Sequence, residues 1–399
     1  MSLLSVDLNV TEIPMRKIFV SMLSSMLVAG PALAAQPDLT NAAAFENTCT
    51  AAAARAPVTV QERQAYVICN DIALVQQTRT FIEQGLRRID REMPSEAAVA
   101  LAVRQQLTYM RAQLRKSRSM LEKIRITSAS EGLLIAPSTW VRDLDGDGKI
   151  AISERYFFAL PARNDGDLTV GMPSEDEDYY ASEYNLNATI RLDQTDILWG
   201  LSYHYYAEAL VEVLLSYQLD RNTNKPDQAI RLAHPENMRQ AQALIVAGLK
   251  TSEKMRLSAL AETDDDLEWL GNPRQASTVF PVPLDDADFN VWGELMGHLI
   301  PLFQGKTLLP AAQRMSGPLG SMGSLCPAGK GFSLQWFFQH PPKYPLEFFN
   351  RSDTALYCRK LDAARPASGL FDFIARYGEA MEGNGRAAMR FLRRLIWVN

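Results

Sequence analysis

The spacing of apolar residues predicts two long helices within residues 36–128. From Val60 onward apolar side chains recur every three or four residues, the period of an amphipathic helix: Ile68, Ile72, Val75, Ile82, Leu86 and Ile89. A second stretch repeats this spacing through Ala100, Val103, Leu107, Met110, Leu114, Leu121 and Ile124. Met93-Pro94 interrupts the pattern, and Ser95 is a suitable N-cap for the second helix. We therefore expect an antiparallel helical hairpin in this N-terminal region.

The faces of these helices that the apolar stripe leaves free are basic. They carry Arg87, Arg88, Arg104, Arg111, Arg115, Lys116 and Arg118. Such a row can form a surface for another molecule, but it is more commonly the solvated face of a helix. We expect solvation here.

Residues 191–399 are predicted to form a multi-helix body. Asp193 can cap a helix whose residues 197–219 are apolar on nearly every face, which is typical of a helix at the centre of a fold. Its polar exceptions form a single stripe: Gly200, His204, Glu208, Glu212 and Ser216. Further helices are predicted near 235–261, 286–305, 353–363 and 385–397.

Two stretches lack helical periodicity. Residues 129–190 are predicted to be a loop-rich linker, and residues 315–350 an irregular loop rich in Gly, Pro and aromatic residues. Strand patterns are rare. The expected fold is mostly α with few or no strands: a helical hairpin, then the linker, then the multi-helix body.

Residues 1–34 have the organisation of a cleaved signal peptide. Met15-Arg16-Lys17 is a short basic segment, residues 18–28 are apolar, and Ala32-Leu33-Ala34 resembles a signal peptidase site. The apolar run is too short to span a bilayer, which favours cleavage after Ala34 over an uncleaved anchor. Residues 1–14 are interpreted as an upstream extension. The mature chain is then expected to be periplasmic or secreted, without a transmembrane span.

Export changes the interpretation of the four cysteines. Cys49, Cys69, Cys326 and Cys358 form two local pairs along the chain, and in an oxidising compartment such pairs commonly form disulfides. Four cysteines allow three connectivities, of which we expect Cys49–Cys69 and Cys326–Cys358. A Cys₄ zinc site is the alternative, but the two-residue spacing usual for zinc is absent from the sequence.

Composition narrows the range of partners. The chain has 41 basic and 46 acidic side chains, a net charge of −5, and 47% hydrophobic residues. This composition is ordinary for a folded globular protein and excludes a largely disordered chain. Without a basic excess, nucleic acid is not an expected partner. The oligomeric state is not evident from the sequence.

The strongest chemical motif is the twelve-residue stretch from Asp143 to Glu154, DLDGDGKIAISE. Its oxygen donors have the spacing that surrounds a calcium ion. The expected ligands are the carboxylates of Asp143, Asp145 and Asp147, the main-chain oxygen of Lys149, and a bidentate Glu154 carboxylate. Gly148 permits the sharp turn, Ala151 leaves one vertex to water, and Ile150 is expected to pack inward. We therefore expect Ca²⁺ as the ligand.

This stretch resembles the EF-hand loop, and the whole chain resembles uncharacterised exported bacterial proteins with one such loop. The EF-hand resemblance is confined to residues 143–154, and neither resemblance implies an enzymatic activity. Pro137 precludes a regular entering helix, and the exiting segment has room for one or two turns before Pro161. The best second loop, residues 220–231, has Lys225 where glycine is required and Arg231 where glutamate is required. A structural rather than a sensor site is expected.

Three functional hypotheses remain open on the sequence. The first is an exported calcium-binding protein of a bacterial envelope. The second is an envelope hydrolase that calcium only stabilises, with its site near the His204–Glu208–Glu212 stripe or the aromatic loop. The third is an adaptor that binds another envelope protein through the hairpin or that loop. The pairs His204/Glu208 and Glu294/His298 would form a transition-metal site if they met. Catalytic residues are not evident in the sequence, which favours a protein without enzymatic activity.

Overall fold

A computed structural model describes residues 36–92, 94–162, 174–220, 223–310, 326–351 and 354–379. The predicted signal peptide and the predicted helix at 385–397 lie outside these residues. Eleven helices lie within them: α1 Ala42–Ala54, α2 Val60–Glu92, α3 Glu96–Leu121, α4 Ile152–Arg155, α5 Glu177–Glu183, α6 Gln194–Ser216, α7 Pro235–Ala261, α8 Asp286–Phe303, α9 Leu334–Gln339, α10 Pro345–Arg351 and α11 Leu370–Glu379. The fold is mostly helical, as predicted.

The strands are short and antiparallel. They are β1 Leu134–Ile135, β2 Leu160–Pro161, β3 Tyr184–Asn185, β4 Ile190–Arg191, β5 Tyr217–Leu219, β6 Ile230–Leu232, β7 Leu309–Pro310, β8 Lys330–Phe332 and β9 Cys358–Lys360. β1 pairs with β4, β2 with β3, β5 with β6, and β8 lies between β7 and β9. These pairings join segments between the helices and form no extended sheet.

The predicted helix starts follow from local capping. The Ser95 hydroxyl accepts a hydrogen bond from the amide of Ala98 at 3.3 Å at the start of α3. At the start of α6, the Asp193 carboxylate accepts from the amide of Asp196 at 2.8 Å. Each bond satisfies an amide that has no partner inside its own helix.

α6 and α7 lie at the centre of the fold and pack against each other. The main apolar cluster includes Met255 from α7 and Phe289 and Met296 from α8. Leu39 and Phe373, far apart in the chain, belong to the same cluster. One core therefore joins the N-terminal region to the C-terminal helices.

The basic face of α3 differs from the prediction of a solvated row. Arg115 and Arg118 donate to the Glu208 carboxylate at 2.6 and 2.7 Å, and Arg115 also pairs with Glu212. Arg111 lies 3.4 Å from Glu212. The polar stripe of α6 thus faces α3, where arginines neutralise two fully buried carboxylates.

Two predictions for the C-terminal region are wrong. The described part of 353–363 forms a short 3-10 turn, Ala355–Tyr357, and then β9 instead of an α-helix, because the backbone of β9 pairs with β8 in the register Phe332↔Cys358. The loop predicted at 315–350 contains α9 and α10 within its described part. The Ser333 hydroxyl caps α9 by accepting from the amide of Trp336 at 3.2 Å, and Pro345 begins α10.

The cysteines lie at disulfide distance in the two predicted pairs. The Cα atoms of Cys49 and Cys69 are 5.2 Å apart, and those of Cys326 and Cys358 are 5.7 Å apart. The first pair joins α1 to α2, and the second joins the segment before β8 to β9. Two such pairs are compatible with an extracytoplasmic location.

Within the described residues, none of the helices combines the length and apolar character that a bilayer span requires.

Candidate metal centre

The segment that leads into the acidic loop is fixed to the N-terminal region. The carbonyl of Leu39 accepts from the amide of Ala136 at 3.1 Å and from the indole N–H of Trp140 at 3.0 Å. The Trp140 ring stacks on Phe45 with centroids 5.7 Å apart. Only a short 3-10 turn, Pro137–Thr139, precedes the loop, so an entering α-helix is absent from this described stretch, as Pro137 indicates.

Backbone amides fold the loop around its aspartates. Asp143 accepts from Gly146 at 2.7 Å and from Gly148 at 2.9 Å. Asp145 accepts from the amide of Asp147 at 3.0 Å. Gly146 and Gly148 have φ values of 73° and 85°, a region that side chains with a Cβ rarely adopt. The two glycines therefore permit the reversals that bring alternate aspartates together.

Three predicted ligands converge in the folded loop. Asp143, Asp145 and Asp147 each offer a carboxylate oxygen, and these oxygens all lie within 4.8 Å of one another. Hard carboxylate oxygens are the donors that Ca²⁺ and Mg²⁺ prefer. Asp147 and the surrounding backbone are exposed, so an ion has direct access. This part of the loop suits a divalent cation.

Glu154 occupies a different position from the three aspartates. It is 4% exposed, and its Oε1 accepts from the amides of Leu144 and Asp145 at 2.8 and 3.0 Å. Its Oε2 accepts from the amide of Ala151 at 3.0 Å. A carboxylate has about four acceptor positions, which leaves one on Oε2. Glu154 closes the loop in this structure and lies outside the aspartate cluster.

Three side chains of α2 hold the loop from the outside. Gln76 donates to the carbonyl of Asp143 at 2.8 Å, and Thr80 donates to the carbonyl of Leu144 at 3.0 Å. Arg87 pairs with Asp145 at 2.9 Å. The two residues in each of these contacts are about sixty positions apart in the sequence, so the motif 143–154 does not predict the contacts. They connect the loop to the long N-terminal helices.

The exit from the loop uses the acidic segment near residue 175. Glu175 accepts from the Ser153 hydroxyl at 2.8 Å and from the amide of Ile152 at 3.2 Å, and thereby holds the start of α4. Glu177 pairs with Arg155 at 2.9 Å.

The prediction that Ile150 packs inward is wrong, because its side chain is 47% exposed. The Ile150 side chain therefore does not belong to the buried core.

A second acidic group lies at the start of α6. Carboxylate oxygens of Asp193, Glu262 and Glu268 all lie within 4.8 Å of one another, and Asp196 is buried beside them. Thr195 donates to one oxygen of Glu262, whose other oxygen is buried without a hydrogen-bond partner. The sequence assigned Asp193 to capping and did not single out the two glutamates. Their separation along the chain hides the cluster.

Burial and mutual repulsion hold this cluster partly protonated. Burial, followed by the Asp193 charge, raises the pKa of Glu262 to about 9 and that of Glu268 to about 7. Burial, with the Asp193 charge second, raises the pKa of Asp196 well above its usual range. The nearby Arg191 pairs with Asp266 at 2.8 Å. The cluster therefore retains protons at neutral pH.

We expect this cluster to make the protein less stable as the pH rises. In the unfolded chain Glu262 loses its proton near its ordinary pKa of about 4.5, whereas in the folded state it keeps that proton up to about pH 9. The free energy of unfolding therefore decreases as the pH rises from about 4.5 to about 9. Glu262→Gln should raise the melting temperature at pH 9 and flatten this slope. Glu183→Gln, at an exposed position, is the control. Thermal melts between pH 5 and 9 that show equal slopes for wild type and Glu262→Gln would contradict the expectation.

The two His/Glu pairs that could have formed a transition-metal site have separate partners. His204 lies 3.0 Å from Asp71, and although burial opposes its charged form, Asp71 raises the pKa of this imidazole. Glu294 pairs with Arg376 and lies 3.6 Å from His298. Neither pair belongs to a metal-compatible group among the described residues.

Comparison with protein-family models, with curated proteins and with solved structures finds no match to this chain. The functional argument therefore depends on the site itself.

Proposed function

We propose that the protein is an exported calcium-binding protein of a bacterial envelope, in which the EF-hand-type loop 143–154 binds one structural Ca²⁺. The observation that carries the proposal is the convergence of Asp143, Asp145 and Asp147 within 4.8 Å. Three negative charges at this separation repel one another, and Arg87 offsets only part of that repulsion. A divalent cation would neutralise the rest.

The ligand set would be completed from both halves of the loop. Asp143, Asp145 and Asp147 supply carboxylates, and Lys149 supplies its main-chain oxygen. Glu154 has one acceptor position left on Oε2, and a small rotation of its carboxylate would release the second oxygen for bidentate binding. Water would fill the vertex at Ala151. This arrangement fits the six to eight oxygens that Ca²⁺ takes better than the compact octahedron of Mg²⁺.

The ion would act as a brace between the N-terminal helical hairpin and the rest of the chain. Gln76 and Thr80 of α2 bind loop carbonyls, while Glu175 holds the exit helix. Neutralising the aspartates would stabilise the loop to which both sides are attached. A single loop without a partner lacks the helix pair through which calcium sensors open. A structural role is therefore favoured over a regulatory one.

We expect Ca²⁺ to bind with a Kd of about 10⁻⁴–10⁻³ M, the range of extracellular modules. At 10 mM Ca²⁺ this would stabilise the folded state by about 1.4–2.7 kcal/mol. Titration calorimetry and thermal melts of the chain without residues 1–34 measure both quantities. Asp147→Asn is the informative variant, because its amide oxygen can still accept from the Lys149 amide while one ligand charge is lost.

The matched control is Asp176→Asn. Asp176 is also exposed and accepts a hydrogen bond from an amide two residues later, but it lies outside the loop. We expect Asp176→Asn to bind Ca²⁺ like wild type and Asp147→Asn to bind at least tenfold more weakly. Absence of saturable binding up to 10 mM, or equal binding by the two variants, would overturn the proposal.

The alternative functions have weaker support. Glu208 and Glu212, which a hydrolase would use, are each paired with arginines of α3, so their carboxylates are occupied. An adaptor role would require an exposed apolar surface on the predicted hairpin. Apolar side chains of α3 are exposed, but they form one wall of a cavity whose opposite wall is the end of α6.

A further inference from the structure

A large apolar cavity lies between α3 and the end of α6. Its volume is about 1190 Å³. One wall is the first half of α3, and the opposite wall is formed by the end of α6 with β5, β6 and parts of α9 and α10. This volume exceeds the roughly 300–1,000 Å³ that is usual for pockets that bind compact small molecules.

Aliphatic side chains line both walls and remain open to solvent. On α3, Leu101 and Val103 are 58% and 43% exposed. Leu214 of α6 and Leu219 of β5 are 49% and 46% exposed on the opposite side. Burying these groups is worth roughly 25 cal/mol per Å² of apolar surface, so an apolar ligand would gain affinity from both walls. The α3 wall extends from Glu96 to Leu107, about 17 Å, which suits a long chain better than a compact ring.

The cavity wall also includes one basic residue. Arg104 lies on its wall, and a carboxylate partner for Arg104 is absent from the described residues. The arginines further along α3 differ, because Arg111, Arg115 and Arg118 pair with Glu208 or Glu212. Glu96 lies about 12 Å away along the helix axis, too far to neutralise Arg104. The cavity thus combines apolar walls with one cation that can bind an anion.

We propose that this cavity binds a long-chain fatty acid. The acyl chain lies between α3 and the end of α6, and its carboxylate pairs with the Arg104 guanidinium, which matches a carboxylate in a bidentate geometry. An uncharged lipid would leave Arg104 unused, and so would a protein helix that presents only apolar side chains to the cavity. This binding is independent of calcium and goes beyond the brace proposed above.

The proposal is tested by titrating oleate into the chain that lacks residues 1–34. The oleate concentration stays below that at which micelles form, and the buffer contains EDTA. EDTA makes the result independent of calcium binding. We expect one oleate per chain with a micromolar Kd. Leu101→Asp and Leu214→Asp place a charge on either wall and should each weaken binding at least tenfold. Both positions are about half-exposed, so folding should be retained, as circular dichroism would verify.

Leu257→Asp is the matched control, because Leu257 is a 53% exposed helix leucine outside the cavity. The role of Arg104 is tested with two ligands of equal chain length. Arg104→Ala should weaken laurate about tenfold or more while leaving 1-dodecanol unchanged.

Three outcomes would overturn the proposal. They are no saturable oleate binding, equal binding by the Leu101→Asp and Leu257→Asp variants, and a concentration-dependent dimer that Leu101→Asp abolishes. The last would assign the surface to a second copy of the chain.

Discussion

Replacing Glu208 by glutamine is expected to destabilise the folded state by about 3–5 kcal/mol. Glu208 has 0% exposure, and its two oxygens accept from Arg115 at 2.6 Å and from Arg118 at 2.7 Å. Glutamine preserves the side-chain volume, so a cavity does not contribute to the loss. It removes the negative charge and places an amide N–H₂ against a guanidinium donor. Each arginine then loses one of the two carboxylates that it contacts, because Arg115 also pairs with Glu212 and Arg118 also pairs with Glu122.

Urea unfolding of wild type and variant measures this free energy. The matched control is Glu177→Gln, which breaks the Arg155–Glu177 pair between two side chains that are about half-exposed. Exposed pairs contribute about 0–1 kcal/mol, so the control should lie near wild type. Glu212→Gln is a second variant, and because both glutamates share Arg115, the double variant should be non-additive. Equal losses for Glu208→Gln and Glu177→Gln would contradict the assigned role of the buried network.

The features that could be predicted from the sequence depend on neighbours within a few residues. Ser95 and Asp193 cap helices because the amides that they bind are three residues away. The loop 143–154 is recognisable for the same reason, since its aspartates and glycines act on each other's backbone. In each case the interaction partner belongs to the motif itself.

What the sequence could not predict depends on partners distant in the chain. The arginines of α3 resemble a solvated face until α6 brings Glu208 against them, about ninety residues later. Likewise, Gln76 and Thr80 reach the loop only because α2 packs beside it. The carboxylates near Asp193 are a third case. Polar side chains at helical spacing do not reveal which element they will face.

The C-terminal region illustrates a different difficulty. Residues near 358 have no strong strand pattern, yet Cys358–Lys360 pairs with β8. Phe332 and Tyr357 are both buried in one aromatic cluster, and the cysteine pair lies in the same cluster. Tertiary packing and a covalent link decide the backbone conformation here, and both override local propensity.

The two disulfides are expected to contribute about 3–4 kcal/mol each to the stability of the folded state. They close loops with sequence separations of 20 and 32 residues, and the entropy removed from the unfolded chain grows slowly with loop length. Cys326→Ala with Cys358→Ala should therefore cost slightly more than Cys49→Ala with Cys69→Ala. The C-terminal pair is also more deeply buried, with Cys326 in the aromatic cluster around Phe332.

Urea unfolding of the two double variants, compared with wild type before and after reduction, measures these losses. A chain made without residues 1–34 and retained in a reducing cytosol should contain four free thiols and match the quadruple alanine variant in stability. The same chain oxidised after purification should recover the wild-type midpoint, because the folded state places each cysteine beside its partner. If the reduced and oxidised forms unfold at the same urea concentration, the bridges do not stabilise the fold. In that case the cysteine pairs would no longer support the export of the protein.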